Sequence, residues 1–308
     1  MKIFFNRYPR QEPYGGGNQF LKEMCALLQR EGHEVVFHLN PGVDVIFLID
    51  PRPGDIGYSV NHALAYKQQN PGVKIIHRVN ECDKRKDTDF MDALLLKTME
   101  VADEVVFISD WLQEYFLLQG ASKKGHVVYN GCSRRDFYPV EDKTIGPKPK
   151  VVTHHWSDNW LKGFDVYTEI DKYLQQNDSF EFTYVGRYYK DYTPSATNIV
   201  EPLFGKALGD ELRKHDIYLT ASRWEPCGMH HIEGAACGLP VLYHPETGGI
   251  KELCKNHGEE FETLDELLKK IELVSSEYSH YTGLIDHNRI NIDYCCSVYH
   301  DIIRGMTS

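Results

Sequence analysis

The sequence predicts an α/β protein made of two doubly wound domains. Three observations carry that prediction. Short apolar runs rich in Val, Ile and Phe alternate with amphipathic stretches along most of the chain. The alternation breaks at 141–150 (EDKTIGPKPK), which holds two prolines, a glycine and no apolar periodicity, and then restarts. At about 150 residues per domain, 308 residues are enough for two compact cores.

The elements follow in order. KIFFN (2–6) is a strand candidate, and a polar loop with Gly15-Gly16-Gly17 follows it. Phe20, Met24, Leu27 and Leu28 then share one face of a helix, which Gly32 ends before the strand HEVVFHL (33–39). VDVIFLID (43–50) is a third apolar run. The segment 57–69 is helix-like, KIIHRVN (74–80) strand-like, and TDFMDALLLKTMEVAD (88–103) has helical spacing. Strand EVVFIS (104–109), helix DWLQEYFLLQG (110–120) and strand HVVYN (126–130) complete the first half. After the linker come strand KVVTHHW (150–156), helix 164–175, and strands FEFTYVG (180–186) and DIYLTA (216–221). A helix from about Met229, strand PVLYH (240–244) and helix GGIKELCK (248–255) follow. Apolar strands separated by helices mean βα units on buried parallel sheets. The expected division is 1–145, 146–285, and a helical segment 286–308 that packs back on the first domain. Ligands of such sheets gather at the carboxyl ends of the strands, here in a cleft between two Rossmann-like halves.

Composition narrows the function. With 34 Lys+Arg against 45 Asp+Glu, the net charge is −11, which argues against general nucleic-acid binding. No uncharged apolar run approaches the roughly 18 residues of a membrane span. The opening MKIFFNRYPRQEP reads as strand and polar loop rather than a signal peptide. The eight cysteines show no CxxC spacing, so reduced thiols in a cytoplasmic protein are expected, with neither structural zinc nor a disulfide framework.

The segment with the most chemistry is RWEPCGMHHIEGAACGLPV (223–241), which leaves a strand and enters a helix. Pro226 and Gly228 suit a tight turn there, and the first-turn amides near Met229 and His230 suit a phosphate. Glu225 precedes the turn and Glu233 lies within the helix, so the two carboxylates can reach different parts of one elongated ligand. As acceptors they fit sugar and ribose hydroxyls.

Glu225…Glu233, with Pro226, Gly228 and the following Gly-Leu-Pro, resembles the E-x7-E signature of retaining glycosyltransferases of the GT-B fold, family GT4. The resemblance implies that Glu225 contacts the donor sugar and Glu233 the nucleoside ribose. Further segments are similar to that family: Gly15-Gly16-Gly17 followed by a helix ending REGHEV, VVYNGCSRRDFYP (127–139), and Trp160-Leu-Lys162-Gly163-Phe-Asp. They imply donor contacts from Gly16 and Gly17, and neutralisation of the diphosphate by Lys162. The family's Gly-Arg before KG is missing. The strand ends His154-His155-Trp156-Ser157 instead, with Ser157 a donor-contact candidate. Arg187, after Val185-Gly186, is the candidate replacement, with Arg223 behind it. On the acceptor side, Asn80 and Asp83 are candidates, near His77 and Glu81.

Other motifs fail on context. Asp87-Thr88-Asp89 has the D-x-D form of metal-dependent transferases but sits at a helix start. The adjacent pairs His154-His155 and His230-His231 do not suit helical metal ligation. GxGxxG and GxSxG are absent. The resemblance therefore implies a metal-independent glycosyltransferase without a cofactor, retaining anomeric configuration and using a UDP- or GDP-linked sugar. The acceptor would be a carbohydrate, a lipid-linked molecule or a small molecule, with at most peripheral membrane contact. A noncatalytic nucleotide-sugar-binding relative and another GT-B enzyme, such as a sugar-nucleotide epimerase or a phosphorylase, stand as alternatives.

Overall fold

A computed structural model describes residues 1–10, 15–54 and 56–307. Residues 11–14, in the loop expected after the first strand, lie outside them, as do 55 and 308. The chain divides into two compact units, Met1–Gly131 with Ile292–Ser308, and Cys132–Asn291.

The first unit runs β1 (Lys2–Phe5), α1 (Gly15–Arg30), β2 (Glu34–Val36), β3 (Val45–Leu48), α2 (Val60–Gln69), β4 (Lys74–Val79), α3 (Asp83–Lys86), α4 (Met91–Val101), β5 (Glu104–Phe107), α5 (Asp110–Leu118) and β6 (His126–Val127). The second runs β7 (Lys150–His155), α6 (Phe164–Leu174), β8 (Glu181–Gly186), β9 (Asn198–Val200), α7 (Gly205–Leu212), β10 (Ile217–Thr220), α8 (Met229–Ala236), β11 (Val241–Tyr243), α9 (Ile250–Cys254), β12 (Gly258–Glu260), α10 (Leu264–Ser276) and α11 (Tyr278–Gly283). The last helix, α12 (Ile292–Thr307), rejoins the first unit.

Both sheets are parallel and six-stranded. The first has the order β2-β1-β3-β4-β5-β6, with Ile3 opposite both Val35 and Val45. Its strands are short and apolar because both faces are covered. One face packs on Phe20, Leu21, Met24 and Leu28 of α1 and on Cys295, Tyr299 and Ile303 of α12. Gly15–Gly17 do not form the expected loop; they are the first turn of α1. The expected strand 33–39 keeps sheet geometry only over 34–36.

The second sheet has the order β12-β11-β10-β7-β8-β9. Its order reverses between β7, the first strand of the unit, and β10, the fourth. That is the switch point at which doubly wound sheets hold their ligands. Beneath it, Phe164, Tyr167 and Ile170 of α6 and Leu267, Ile271 and Val274 of α10 form an apolar core. Residues 132–145, placed with the first domain by the linker at 141–150, make their contacts within this unit. Arg213 donates to the Asp136 carbonyl at 2.9 Å, and Lys143 Nζ lies 3.7 Å from Asp216.

Candidate active site

The switch point of the second unit collects most of the predicted donor residues. After β7 the chain passes Trp156 and Ser157 into a 3-10 turn, Trp160–Lys162, whose start is capped by Asn159: its side-chain oxygen accepts from Leu161 N at 2.8 Å. Ser157 Oγ in turn accepts from Asn159 N at 3.3 Å. Gly163 then takes φ +95°, and a β-carbon there would fall 2.6 Å from the Ala221 carbonyl oxygen. A glycine at this place lets the turn press against the end of β10. Arg223 N donates to Leu161 O at 2.9 Å, joining the two strand ends.

That packing brings Lys162 onto Glu225. The ammonium contacts Oε1 of the carboxylate directly, and the Glu225 side chain is only 4% exposed. The backbone of Glu225 is clamped from the other side. Trp224 adopts φ +56°, its N–H donates to Glu246 O at 2.9 Å, and Glu225 N donates to Thr247 O at 3.2 Å. Gly249 N returns a bond to Glu225 O at 2.8 Å. Gly248, at φ +74°, completes the clamp; its absent β-carbon would meet Glu225 O at 2.7 Å. Sequence reading missed this clamp.

Glu233 lies one turn into α8, where its Oε2 is 2.8 Å from His154 Nε2. His154 and His155 are strand neighbours and point to opposite faces. His155 Nε2 instead meets the Tyr167 hydroxyl at 2.9 Å, and its ring lies 4.8 Å from that of His230. His230 Nε2 pairs with Thr220 Oγ1 at 2.9 Å. Burial first, and then neighbouring positive charge including Lys162, hold both His155 and His230 well below the ordinary imidazole range. They are neutral at pH 7. Gly228 caps α8 and Met229 begins it, so the first-turn amides open beside this cluster.

The remaining cations differ in availability. Arg223 is a bidentate partner of Asp165 at 2.8 and 2.6 Å, with Glu246 3.3 Å away. Although burial pulls Asp165 up, Arg223 holds its pKa below the usual carboxylate value. Arg187 stacks on Trp156, its guanidinium carbon 3.9 Å from the ring centroid. Arg187 is exposed, and stacking uses the face of the guanidinium rather than its N–H donors.

In the first unit, Asn80 ends β4 beside the first turn of α1: its Nδ2 is 3.8 Å from the β-carbon position of Gly17. Gly16 precedes Gly17 in that turn. Asp83 is engaged in the fold. It accepts from Met91 N at 2.9 Å, Asp92 N at 3.0 Å and the Thr88 hydroxyl at 2.5 Å, so it anchors the start of α4. Thr88 of the D-x-D triplet is therefore part of this anchor. His77 is fully buried, and burial lowers it to about 3. Glu81 pairs with Arg85 at 3.1 Å and Lys86 at 2.7 Å.

All eight cysteines are buried free thiols. Among the described residues, no helix is long and apolar enough to cross a membrane, and no group of three or more His, Cys, Asp or Glu is arranged to hold a metal ion.

Solved structures match this geometry over essentially its whole length. A sucrose-phosphate synthase from Thermosynechococcus elongatus is 15% identical with a TM-score of 0.71, covering 99% of this chain and 98% of that one. Anabaena HepE, solved in complex with UDP-glucose, is 15% identical with a TM-score of 0.70 and covers 99% of both chains. WaaG, a glycosyltransferase of lipopolysaccharide biosynthesis, is 12% identical with a TM-score of 0.67, covering 99% and 100%. The fold is GT-B. The GT-B chain also matches, over residues 198–289, the family model described as glycosyl transferases group 1. That segment runs from β9 past α11 and contains both Glu225 and Glu233. No curated protein sequence matches the chain at a significant level.

Proposed function

We propose that the protein is a glycosyltransferase that moves a sugar from a nucleoside-diphosphate sugar to an acceptor hydroxyl, with retention at the anomeric carbon. The observation that carries this reading is the convergence of Lys162, Glu225, Glu233 and the N-terminus of α8 at the β7/β10 switch point. It is supported by the group 1 match across that segment and by neighbours solved with UDP and UDP-glucose. A UDP-linked hexose is the donor favoured by those neighbours, and a carbohydrate is the favoured acceptor; HepE has also been solved with UDP and glucose.

The chemistry follows from charge. The bond between C1 and the phosphate oxygen breaks, and the nucleoside diphosphate leaves with growing negative charge. Lys162, the N–H edge of Arg187 and the α8 amides of Met229 and His230 stabilise that charge without reorganising. The acceptor oxygen bonds C1 on the face the leaving group departs from, and its proton passes to the departing phosphate oxygen. Glu225, fixed by its clamp, accepts hydroxyls of the sugar and orients it. Glu233 accepts the ribose hydroxyls, and Ser157 is a further donor contact. Gly16, Gly17 and Asn80 are the candidate contacts contributed by the first unit. Neither metal nor cofactor enters this reading, and the buried thiols support a reducing, cytoplasmic setting.

The test is donor turnover. Purified protein is incubated with UDP-, GDP-, ADP- and dTDP-sugars and an acceptor panel, with and without EDTA. Release of nucleoside diphosphate with a glycosidic product of unchanged anomeric configuration in EDTA supports the reading. A nucleotide-induced rise in Tm with no donor consumed replaces it with a binding protein, and formation of an epimer or sugar phosphate with another GT-B activity.

A further inference from the structure

His154 and Tyr218 form a buried pair that no part of the proposed chemistry uses. They stand on the adjacent parallel strands β7 and β10, where Tyr218 lies opposite Val152. Tyr218 is fully buried and His154 is 7% exposed. The backbone N–H of His154 donates to the Tyr218 hydroxyl at 3.2 Å, and that hydroxyl lies 3.1 Å from His154 Nδ1. A phenol has one proton to give. The Tyr218 oxygen accepts the His154 backbone N–H and lies 3.1 Å from Nδ1 and 3.4 Å from the His154 carbonyl oxygen, so three groups of one residue hold the phenol against the ring. At the other end of the ring Nε2 lies 2.8 Å from Glu233 Oε2, and because a carboxylate oxygen only accepts, Nε2 is the donor of that contact.

This chain of contacts ends on one oxygen of a carboxylate. Oε1 of Glu233 carries no protein hydrogen bond among the described residues, and the side chain is 18% exposed. An unconstrained glutamate has three rotatable bonds and many rotamers. This one is tethered at a single oxygen, which limits its torsions and leaves the other oxygen for a ligand.

We propose that His154, its ring held by Tyr218, is the positioning residue that presents Glu233 to the two adjacent hydroxyls of the donor ribose. It thereby makes the site select ribonucleotides. The inference rests on the nucleotide-sugar reading above and assigns a mechanism to one part of that site. His154 does not touch the reacting atoms. Its contribution is made through the carboxylate, as supporting residues orient the groups they bond.

The experiment titrates UDP and 2′,3′-dideoxy-UDP into the full-length protein by calorimetry, or GDP and its dideoxy form if the wild type binds GDP instead. His154→Ala, His154→Gln, Tyr218→Phe and Glu233→Gln are compared. The wild type should prefer the ribonucleotide, and His154→Ala should weaken it on the order of tenfold while leaving the dideoxy form within about twofold. His154→Gln, whose amide reaches as far as Nε2, should restore most of the preference. Tyr218→Phe should fall between. Circular dichroism identifies any variant that fails to fold, in which case the glutamine and phenylalanine variants carry the test. Loss of preference in Glu233→Gln but not in the His154 variants overturns the positioning role and leaves the nucleotide reading standing. Equal weakening of both nucleotides by His154→Ala makes the residue a packing element and also overturns it. A wild type that binds both forms alike removes the inference and leaves the nucleotide-sugar reading standing, and one that binds no nucleoside diphosphate removes both.

Discussion

The ammonium of Lys162 rests on Oε1 of Glu225, although the two residues are 63 positions apart and both side chains are largely buried. Removing one member of a buried ion pair costs about 3–5 kcal/mol because the other charge loses its counter-ion. Lys162→Ala should therefore lower Tm, and Lys162→Ala with Glu225→Gln should recover part of it. Activity behaves differently: both single variants and the double variant should lose turnover by about 10²–10³-fold. Thermal melts and kcat, measured on the same preparations, check this. If the double variant regains activity along with Tm, the pair is structural and its catalytic assignment fails.

Gly248 tests the backbone clamp. A β-carbon at φ +74° and 2.7 Å from the Glu225 carbonyl oxygen forces one of the two segments to move. Gly248→Ala should cost about 1–3 kcal/mol in stability, the range for a strained backbone position. Because the displaced segment carries Glu225, kcat should fall by about 10²-fold, the penalty for roughly 1 Å of misplacement. A variant with normal kcat would show that Glu225 does not need this clamp.

These two tests mark how far the sequence could be read. Glu225, Gly228 and Glu233 are legible because turn chemistry and helix periodicity place them locally, within a single strand-to-helix passage. The parallel sheets are legible for the same reason, since each βα unit is written in its own apolar pattern. The partners are not local. His154 meets Tyr218 and Glu233 across 64 and 79 residues, and the Gly248 loop meets Glu225 only after β11 has intervened. Pairwise contacts of that range leave no periodic trace in one sequence. The adjacent histidines at the end of β7, where the family that the sequence resembles carries Gly-Arg, are the single local signal of them. The Gly15–Gly17 turn is not legible as helix for another reason. Glycine is a poor helix former, but packing of Phe20 and Met24 on the sheet extends α1 back over it.

Asp171 of α6 predicts an acid-sensitive step. It is 4% exposed and accepts from Ala196 N at 2.9 Å, Thr197 N at 2.7 Å and the Thr197 hydroxyl at 2.7 Å, tying the segment before β9 to the helix. Burial pushes its pKa upward, but these donors outweigh it and lower the group from 3.8 to about 2. A carboxylate with a depressed folded-state pKa stabilises the fold above its unfolded value and loses that contribution as pH falls through the folded one. About 1–2 kcal/mol should therefore disappear between roughly pH 4 and pH 2. Asp171→Asn should be less stable at pH 7 and should lose this part of the pH dependence. Urea melts of both proteins across that range give the comparison; parallel curves would remove Asp171 as the cause.

The last helix is the most exacting test of the first unit. α12 follows the second unit in sequence, yet its Cys295, Tyr299 and Ile303 complete the apolar layer made by α1 and the first sheet. Tyr299 is fully buried, with ring centroids 4.8 Å from Phe20 and 5.7 Å from Phe47. Truncating a buried aromatic to alanine costs about 3–5 kcal/mol through lost transfer energy and the cavity that remains. Tyr299→Ala should destabilise the first unit by that amount. Removing residues 292–308 strips the α12 half of that layer and exposes the apolar sheet and the side of α1 that it covers, so that variant should aggregate or melt without a cooperative transition. Both outcomes should be specific to the first unit, because α10 and α6 cover the second sheet without help from α12. Hydrogen exchange resolved by peptide separates the units: in Tyr299→Ala, amides of β1, β3 and β4 should exchange faster while those of β7, β8 and β10 keep their protection. Uniform loss of protection across both sheets would mean that the two units unfold as one, and the stability assigned to α12 would then belong to the whole chain.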